Sequence, residues 1–370
     1  MRFRVGQALV LAGLLVGAPA PAGERFWLNA KQQRVSHQRS LLTKVAKRAL
    51  GAVVSITTVQ APSSEAAASS ASAAPAEPQK GLGAGFIIHP DGYILTSQHV
   101  VENATEIRAS VLRQGGKTEE YLARVVGADR QSDFALLKID VPRKLPVLRL
   151  GSARQVDVAD WVVVIGNPFG LGHSVTVGVV SYKGRQDVTP SGRNGYFNYL
   201  QTDASINPGS SGGPILDLNG DVVAIANAVN VAGQGIGFGI PIDMAKVVLP
   251  ELKAHGELRR GWLGVAVEDA SSGVLISEVM DGGPAARAGL LVGDIIRGVN
   301  RSRVQRALAL RWTVATSGPG NWVRLKILRG AQPLSMRVRL DEAPSPDPES
   351  GPMEGAAPAP PPAARPAGNR

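Results

Sequence analysis

Short apolar runs separated by turn residues dominate the chain between about residues 81 and 240. The runs are rich in β-branched residues, and glycine, proline or an Asn-Gly pair such as Asn219-Gly220 separates them. This pattern predicts β-strands joined by hairpins. The clearest runs are residues 86–88, 93–95, 161–165, 175–181 and 215–229. Their spacing favours two antiparallel β-barrels with a cleft between them.

Other segments have different patterns. Leucine, valine and alanine at helical spacing in residues 40–50 predict a short amphipathic helix that leads into a strand at residues 52–59. Residues 61–79 are almost entirely Ala, Ser, Pro and Glu. A segment of this composition cannot bury enough apolar surface to become ordered, so we predict a flexible loop. A helical run also lies near residues 307–316.

A serine lies in a glycine-flanked turn, Pro208-Gly209-Ser210-Ser211-Gly212-Gly213-Pro214. Acyl transfer through serine needs an unobstructed hydroxyl, a base, and preorganised donors for the oxyanion that develops. Glycines around Ser211 let backbone amides and a substrate approach it closely. Taken alone, the same residues are more often an ordinary turn.

Two upstream residues change that interpretation. His99 follows a β-rich run at a polar Ser-Gln step, where an imidazole can act as general base. Asp133 precedes the apolar run 134–139, which places a carboxylate at the start of a strand and near enough to orient a histidine. The order His99, Asp133, Ser211 is that of the two-barrel serine proteases.

These three blocks resemble, in order and spacing, the catalytic blocks of the HtrA (Deg) family of trypsin-like serine proteases, and the resemblance runs from about residue 41 to residue 340. It implies a mainly β fold, with a double antiparallel β-barrel followed by a PDZ domain. It also implies His99 as general base, Asp133 as its orienting carboxylate and Ser211 as nucleophile. The turn Gly209, Ser210, Ser211 would form the oxyanion hole, with the amides of Gly209 and Ser211 as donors.

Two positions depart from the family pattern. Ser210 stands where most members carry Asn, and Gly239 stands where Ala is usual. Neither removes a catalytic group. A glycine in the strand that borders the specificity pocket is expected to loosen it.

The resemblance also implies a specificity pocket with Ser205 and Ile206 at its base and with Asn230 and Ile236 beside them. No acidic group among these residues can receive Lys or Arg, so we expect cleavage after small or medium aliphatic residues in unfolded chains. If Ile206 and Ile236 are simply core residues, the preference stays open.

The segment that begins at Gly261-Trp262-Leu263-Gly264-Val265 resembles a PDZ domain of the type that HtrA proteases carry. Such domains hold a C-terminal carboxylate in a nest of backbone amides and add the peptide as a strand. The resemblance assigns the nest to Leu263, Gly264 and Val265, with the helix at residues 307–316 opposite. The expected partners are unfolded proteins and hydrophobic C-terminal peptides.

The predicted organisation has six parts. They are a signal peptide (1–22), a basic segment with a short helix (23–50), the protease domain (51–252, with the flexible loop 61–79), a linker (253–260), the PDZ domain (261–342) and a disordered Pro/Ala-rich tail (343–370). By resemblance the basic segment helps to assemble a homotrimer or higher oligomer, with Phe26 and Trp27 as candidate contacts. The alternative is that these two aromatic residues merely cover core residues.

The N-terminus predicts the compartment. Arg2 and Arg4 precede an apolar run at residues 5–18, and small residues follow to Ala22, as in a secretory signal peptide. The run is short for a membrane span, which needs about 20 residues. We therefore expect an exported, periplasmic bacterial protein, with an uncleaved anchor in the inner membrane as the alternative.

Composition excludes several classes of site. The chain of 370 residues has no cysteine, which excludes disulfides and thiolate metal sites. The histidines other than His99 have no metal-ligand spacing, and we expect no metal and no cofactor. The net charge of +10 is concentrated in residues 1–60 and 256–342. Because only 5% of the residues are aromatic and no basic stripe is present, we do not expect a nucleic-acid partner. Contact with an anionic membrane surface or with acidic clients suits this charge better. The simplest interpretation is a solvated charged face.

Two functions follow from the sequence. The first is an ATP-independent periplasmic serine endopeptidase of protein quality control. The second is a chaperone or PDZ-based stress sensor whose proteolysis is off or vestigial. The complete set of His99, Asp133 and Ser211 favours the first.

Overall fold

The computed structural model describes residues 40–60, 79–113, 116–167, 172–186, 188, 195–227 and 235–344. The leader, Phe26, Trp27, Asn230, nearly all of the loop 61–79 and all but two residues of the tail lie outside them. The described part begins with helix α1 (Leu41–Ala49), where Ser40 Oγ accepts a hydrogen bond from Thr43 N at 3.2 Å. This cap and the buried Val45 and Ala49 confirm the predicted amphipathic helix.

The first barrel closes in the strand order β1-β2-β3-β6-β5-β4, and every pairing is antiparallel. A short helix, α2 (Gln98–Val101), follows β3. In β4, the buried residues Ile107, Ala109 and Val111 alternate with more exposed ones, as expected for a strand with one face in water. The strands are β1 (Val53–Gln60), β2 (Gln79–His89), β3 (Tyr93–Ser97), β4 (Ala104–Leu112), β5 (Thr118–Asp129) and β6 (Phe134–Ile139).

The second barrel closes in the order β10-β11-β12-β9-β8-β7. Its strands are β7 (Trp161–Gly166), β8 (Ser174–Arg185), β9 (Tyr199–Thr202), β10 (Pro214–Leu216), β11 (Val222–Asn227) and β12 (Gly237–Pro241). Two closed six-stranded barrels confirm the predicted fold class. Helix α3 (Ile242–His255) follows, so the first three residues of the predicted linker are helical.

One apolar cluster joins the two barrels. Phe86, Leu95 and Phe134 of the first barrel pack in the same buried cluster as Ile165 and Tyr199 of the second. Because close-packed interiors resist relative movement of their parts, this shared core fixes the two barrels around their cleft.

The chain beyond α3 forms a separate antiparallel sheet in the order β14-β15-β16-β18-β19, with β17 paired to β16 and β13 paired to β20. Its apolar face covers a second buried cluster that includes Ile276, Ile296 and Leu325. Its elements are β13 (Gly261–Trp262), β14 (Val265–Ala270), β15 (Gly273–Val279), α4 (Pro284–Arg287), β16 (Ile295–Val299), β17 (Ser302–Arg303), α5 (Ala307–Thr316), β18 (Trp322–Arg329), β19 (Gln332–Arg339) and β20 (Asp341–Glu342).

The linker and helix α5 both contact the barrels. Arg260 Nη2 donates to both carboxylate oxygens of the buried Asp129, at 2.7 and 2.8 Å. Trp312 on α5 packs edge-on against Tyr196, with ring centroids 5.4 Å apart. Within the described part of the chain, no helix has the length and apolar character needed to cross a bilayer.

Candidate active site

Asp133 lies at the junction of β5 and β6, on a backbone with φ of 57°. An aspartate in this left-handed conformation is held by its surroundings. Ser132 supplies part of this support, because its backbone N donates to Asp129 Oδ2 at 3.0 Å and its hydroxyl donates to the same oxygen. Arg260 neutralises Asp129 from the linker. The turn that presents Asp133 is therefore braced by a residue outside both barrels.

His99 faces Asp133 from the start of α2. Its Nδ1 lies 2.7 Å from Asp133 Oδ2, and its backbone N donates to Asp133 Oδ1 at 2.9 Å. Two contacts to one carboxylate fix both the backbone and the ring of the histidine. With Nδ1 donating to the carboxylate, Nε2 is the nitrogen left to accept a proton.

Ser211 lies in the turn between β9 and β10, on the edge of the second barrel. Its backbone carbonyl accepts a hydrogen bond from Ala84 N of the first barrel at 2.8 Å. The next residue, Gly212, has φ of 83°, and a side chain there would collide with Thr96 and lie 2.9 Å from Ser97 N. Only glycine allows this approach. The structure therefore brings the serine turn against the end of β3, two residues before His99.

The three residues of the proposed oxyanion hole lie in this turn. Ser210 N donates to Asn207 O at 2.8 Å, and Gly209 O accepts from Asn167 N at 3.2 Å. Because its amide is committed within the turn, Ser210 supports the turn and is not itself a donor to an oxyanion. The assignment of that role to the amides of Gly209 and Ser211 stays a prediction.

Asn227 is a site residue that the sequence analysis missed. Its Nδ2 donates to Asp133 Oδ2 at 3.0 Å, the same oxygen that His99 contacts. Asn227 ends the apolar strand β11, is buried, and lies far along the chain from Asp133. A polar residue at the end of an otherwise apolar strand was the only sequence signal.

Burial shifts the pKa values of Tyr199 and His173, both of which lie in the barrels or their connections. Burial, with a smaller contribution from the negative charge of Asp133, raises the pKa of the Tyr199 phenol. Burial also lowers the pKa of His173, whose Nε2 lies 3.0 Å from Val53 O and joins the β7–β8 connection to the first barrel. Tyr199 therefore stays neutral beside the site, and His173 resists protonation.

The described members of the predicted specificity pocket lie together. Ile206 is half-buried and lies against Gly237, whose neighbour Ile236 is 43% exposed. Ser205 is exposed, and its carbonyl accepts from Thr176 Oγ1 at 2.9 Å. The exposure of Ile236 argues against the interpretation that it is a core residue. The role of these residues in specificity stays a prediction.

The predicted peptide-binding residues lie where the sheet domain has an open edge. Leu263 is buried, Gly264 has φ of 75°, and Val265 begins β14, which pairs on one side only with β15. Across the gap on the other side lies α5. Arg311 Nη2 of this helix donates to Val267 O of β14 at 3.3 Å. Arg311 thus links α5 to the edge of β14 at which the peptide is predicted to bind.

Among the described residues, no group of three or more His, Asp and Glu side chains is arranged to hold a metal ion.

Two family models match the chain. One describes a trypsin-like peptidase domain and matches residues 83–225, and the other describes a PDZ domain and matches residues 261–340. The first match lies within the two barrels, and the second lies within the separate sheet domain.

Curated relatives match about three-quarters of this chain. A probable periplasmic serine endoprotease DegP-like from Pseudomonas putida (strain W619) is 39% identical over 75% of this chain and 59% of its own length. The periplasmic pH-dependent serine endoprotease DegQ of Escherichia coli (strain K12) is 40% identical over 73% of this chain and 62% of its own. The chain thus spans about three-fifths of the length of these curated relatives.

Solved structures match over nearly their whole length. The HtrA-type protease AlgW with a tripeptide has a TM-score of 0.68 and 33% identity, with 83% of this chain and 99% of that chain covered. A serine endoprotease from Yersinia pestis has a TM-score of 0.61 and 33% identity, again with 83% and 99% covered.

Proposed function

The chain belongs to the HtrA family of trypsin-like serine proteases, and from that membership we propose that it is an ATP-independent serine endopeptidase of protein quality control in the bacterial periplasm. The observation that carries the proposal is the contact of 2.7 Å between His99 Nδ1 and Asp133 Oδ2, next to the turn that holds Ser211. A serine nucleophile needs a histidine base in a fixed tautomer, and a carboxylate that accepts a hydrogen bond from Nδ1 fixes that tautomer.

In the proposed reaction, Ser211 Oγ attacks the carbonyl carbon of a peptide bond while His99 Nε2 accepts the hydroxyl proton. The amides of Gly209 and Ser211 donate to the oxyanion of the tetrahedral intermediate. When the intermediate collapses, the C–N bond breaks and His99 returns its proton to the leaving amine. A water molecule then attacks the acyl ester with His99 as base, which releases the new carboxylate and restores Ser211.

The substrates we propose are unfolded or misfolded proteins, cleaved after small or medium aliphatic residues. The apolar side chains of Ile206 and Ile236, with no acid between them in the described part of the pocket, support this preference. The PDZ domain is proposed to hold hydrophobic C-termini at Leu263, Gly264 and Val265. Assembly into a homotrimer or higher oligomer is part of the proposal and is measured by light scattering.

The test compares the chain from residue 23 with its Ser211→Ala variant on unfolded casein, with and without peptides that end in a hydrophobic carboxylate. We expect turnover by the unsubstituted chain and less than about a thousandth of it in the variant. Stimulation by peptide would make the PDZ domain a regulatory input. A folded protein that suppresses aggregation or binds the peptides but cleaves nothing would favour the chaperone or sensor function instead.

A further inference from the structure

The outer face of the hairpin β18–β19 is unusually basic. The strand β18 alternates strictly from Trp322 to Ile327: its odd-numbered residues are buried, and its even-numbered residues are exposed. On β19, Arg337 and Arg339 are likewise exposed on either side of the buried Val338. Because alternate residues of a strand share a face, the exposed residues form one surface. This basic face consists of Arg303, Trp322, Arg324, Lys326, Arg337 and Arg339.

The register of the sheet brings these cations together. Arg324 is directly opposite Arg337, and Trp322 is opposite Arg339. On the other side of β18, Lys326 is opposite Gly298, which is in turn opposite Arg303 of β17. Opposed residues on one face have Cβ atoms about 5 Å apart, and like charges in that relation are destabilising. The fold therefore retains an unfavourable pair, Arg324 and Arg337, where a neutral residue would cost less.

No carboxylate neutralises this charge in the described part of the chain, although Arg339 Nε donates to the carbonyl of Gly320 at 3.1 Å. None of the five cations lies within ion-pair distance of a carboxylate there. The acids that share a cavity with Arg337 and Arg339 are paired with other arginines: Asp341 with Arg287 and Glu342 with Arg259. The counter-charge for the basic face must come from outside this domain.

Trp322 gives the face a second character. Its side chain is 56% exposed, and the guanidinium of Arg337 lies 5.1 Å from its ring centroid. Tryptophan is the residue type that sits at the level of lipid headgroups, with its ring partly in the acyl region and its N–H in water. An exposed indole beside cations that no carboxylate neutralises combines the two forces that hold a protein to an anionic bilayer.

We propose that the basic face docks this domain onto a membrane rich in anionic phospholipids. Trp322, Arg337 and Arg339 line an open cavity, and the face continues beyond it to Arg303, Arg324 and Lys326. An extended layer of headgroups can contact all six residues, whereas a single bound anion would contact only some of them. The peptide groove lies at β14, the opposite edge of the sheet from β19, and stays open to the solvent when the face is on a membrane. The inference rests on the proposed location of the chain in the periplasm, a compartment enclosed by membranes. It does not depend on the proposed proteolysis.

The test is sedimentation of the chain from residue 23 with vesicles of phosphatidylcholine alone or with about a third of phosphatidylglycerol. Each basic residue near an anionic surface strengthens binding about five-fold. Arg324→Gln with Arg337→Gln is therefore expected to weaken binding to anionic vesicles about 25-fold. The matched control is Arg149→Gln with Arg154→Gln, which removes the same charge from exposed positions in the connection between β6 and β7. These two arginines already pair with Asp221 and Asp243, so the control should change binding less than about three-fold.

A local readout accompanies the sedimentation. The emission of Trp322 should shift to shorter wavelength on anionic vesicles, and Trp322→Phe should remove that shift although the other tryptophans remain. Equal binding by the two double variants would overturn the proposal and assign membrane contact to the basic N-terminal segment. Retention on a soluble polyanion without vesicle binding would overturn it in favour of a polyanionic partner. Casein turnover by the same preparations reports the proposed protease separately, so either proposal can fail alone.

Discussion

The side-chain amide of Asn227 lies 3.0 Å from Oδ2 of Asp133, on the carboxylate that also contacts His99. A hydrogen bond to a charged group contributes about 1.5–3 kcal/mol. We therefore expect Asn227→Leu, which keeps the volume but removes the donor, to lower kcat on casein or a casein-derived peptide by about 10- to 100-fold. KM should stay within about two-fold, because Asn227 positions the carboxylate and touches no substrate.

Asn198→Leu is the matched control for this prediction. Asn198 is exposed and lies just before β9, so its loss should leave kcat unchanged. An unchanged kcat in Asn227→Leu would mean that His99 and the backbone are sufficient to hold Asp133.

Much of the site could be predicted from the sequence because it depends on local pattern. Asp133 does directly precede a buried strand, and His99 does follow the end of one. Asn227 could not be predicted, because its partner lies 94 residues away and only the closure of both barrels brings them together. The left-handed backbone of Asp133 and its bracing by Arg260 also depend on packing between distant segments, which periodicity does not encode.

Gly239 has a different role from the one its type suggests. The sequence analysis expected this glycine to loosen the strand, yet a Cβ there would lie 2.5 Å from Ile215 Cδ1 and 2.9 Å from Ala224 Cβ. The neighbours occupy the space that alanine would need. Gly239→Ala, which restores the usual family residue, should therefore lower the free energy of unfolding by about 1–3 kcal/mol in urea titrations.

The crowding can be relieved in a second variant. Ile215→Val removes the Cδ1 atom. It should therefore lower the free energy of unfolding less in the Gly239→Ala background than in the unsubstituted protein. Gly51→Ala is the control, because its Cβ would meet Pro146 Cγ at an ordinary 3.5 Å. Simple additivity of the two substitutions would contradict this account of the packing.

His173 makes the stability of the barrels sensitive to mild acid. Burial holds its pKa below the ordinary value of 6.5, so the unfolded chain takes up the proton first as the pH falls. The stabilising contribution of neutral His173 is therefore complete above about pH 6.5 and is lost progressively below it. His173→Gln retains an N–H donor for Val53 O but does not titrate, and it should flatten the decline of unfolding free energy between pH 7 and pH 5.

His255→Gln serves as the comparison, because His255 is about half exposed at the end of α3. Its curve should follow that of the unsubstituted protein. If the unfolding free energy of His173→Gln falls with pH as steeply as that of His255→Gln and of the unsubstituted protein, the acid sensitivity lies in other groups.

We predict that Arg311 gives the proposed peptide groove a preference for acidic residues. In strand addition, a peptide whose carboxylate sits at residues 263–265 places its third residue from the C-terminus beside Val267, the carbonyl that Arg311 contacts at 3.3 Å. A bound peptide takes over this carbonyl, and a carboxylate at that third residue would pair with the displaced guanidinium. An exposed ion pair contributes up to about 1 kcal/mol, so peptides with Asp at this position should bind about three- to five-fold more tightly than those with Asn.

Arg311→Gln should abolish the preference and leave the affinity for the Asn peptide equal or higher, because the carbonyl is then open. Fluorescence polarisation with both peptides measures this, with Arg306→Gln as control because Arg306 already pairs with Asp269. A preference that survives in Arg311→Gln would exclude this residue as its source, whereas a failure of both peptides to bind would count against the groove itself.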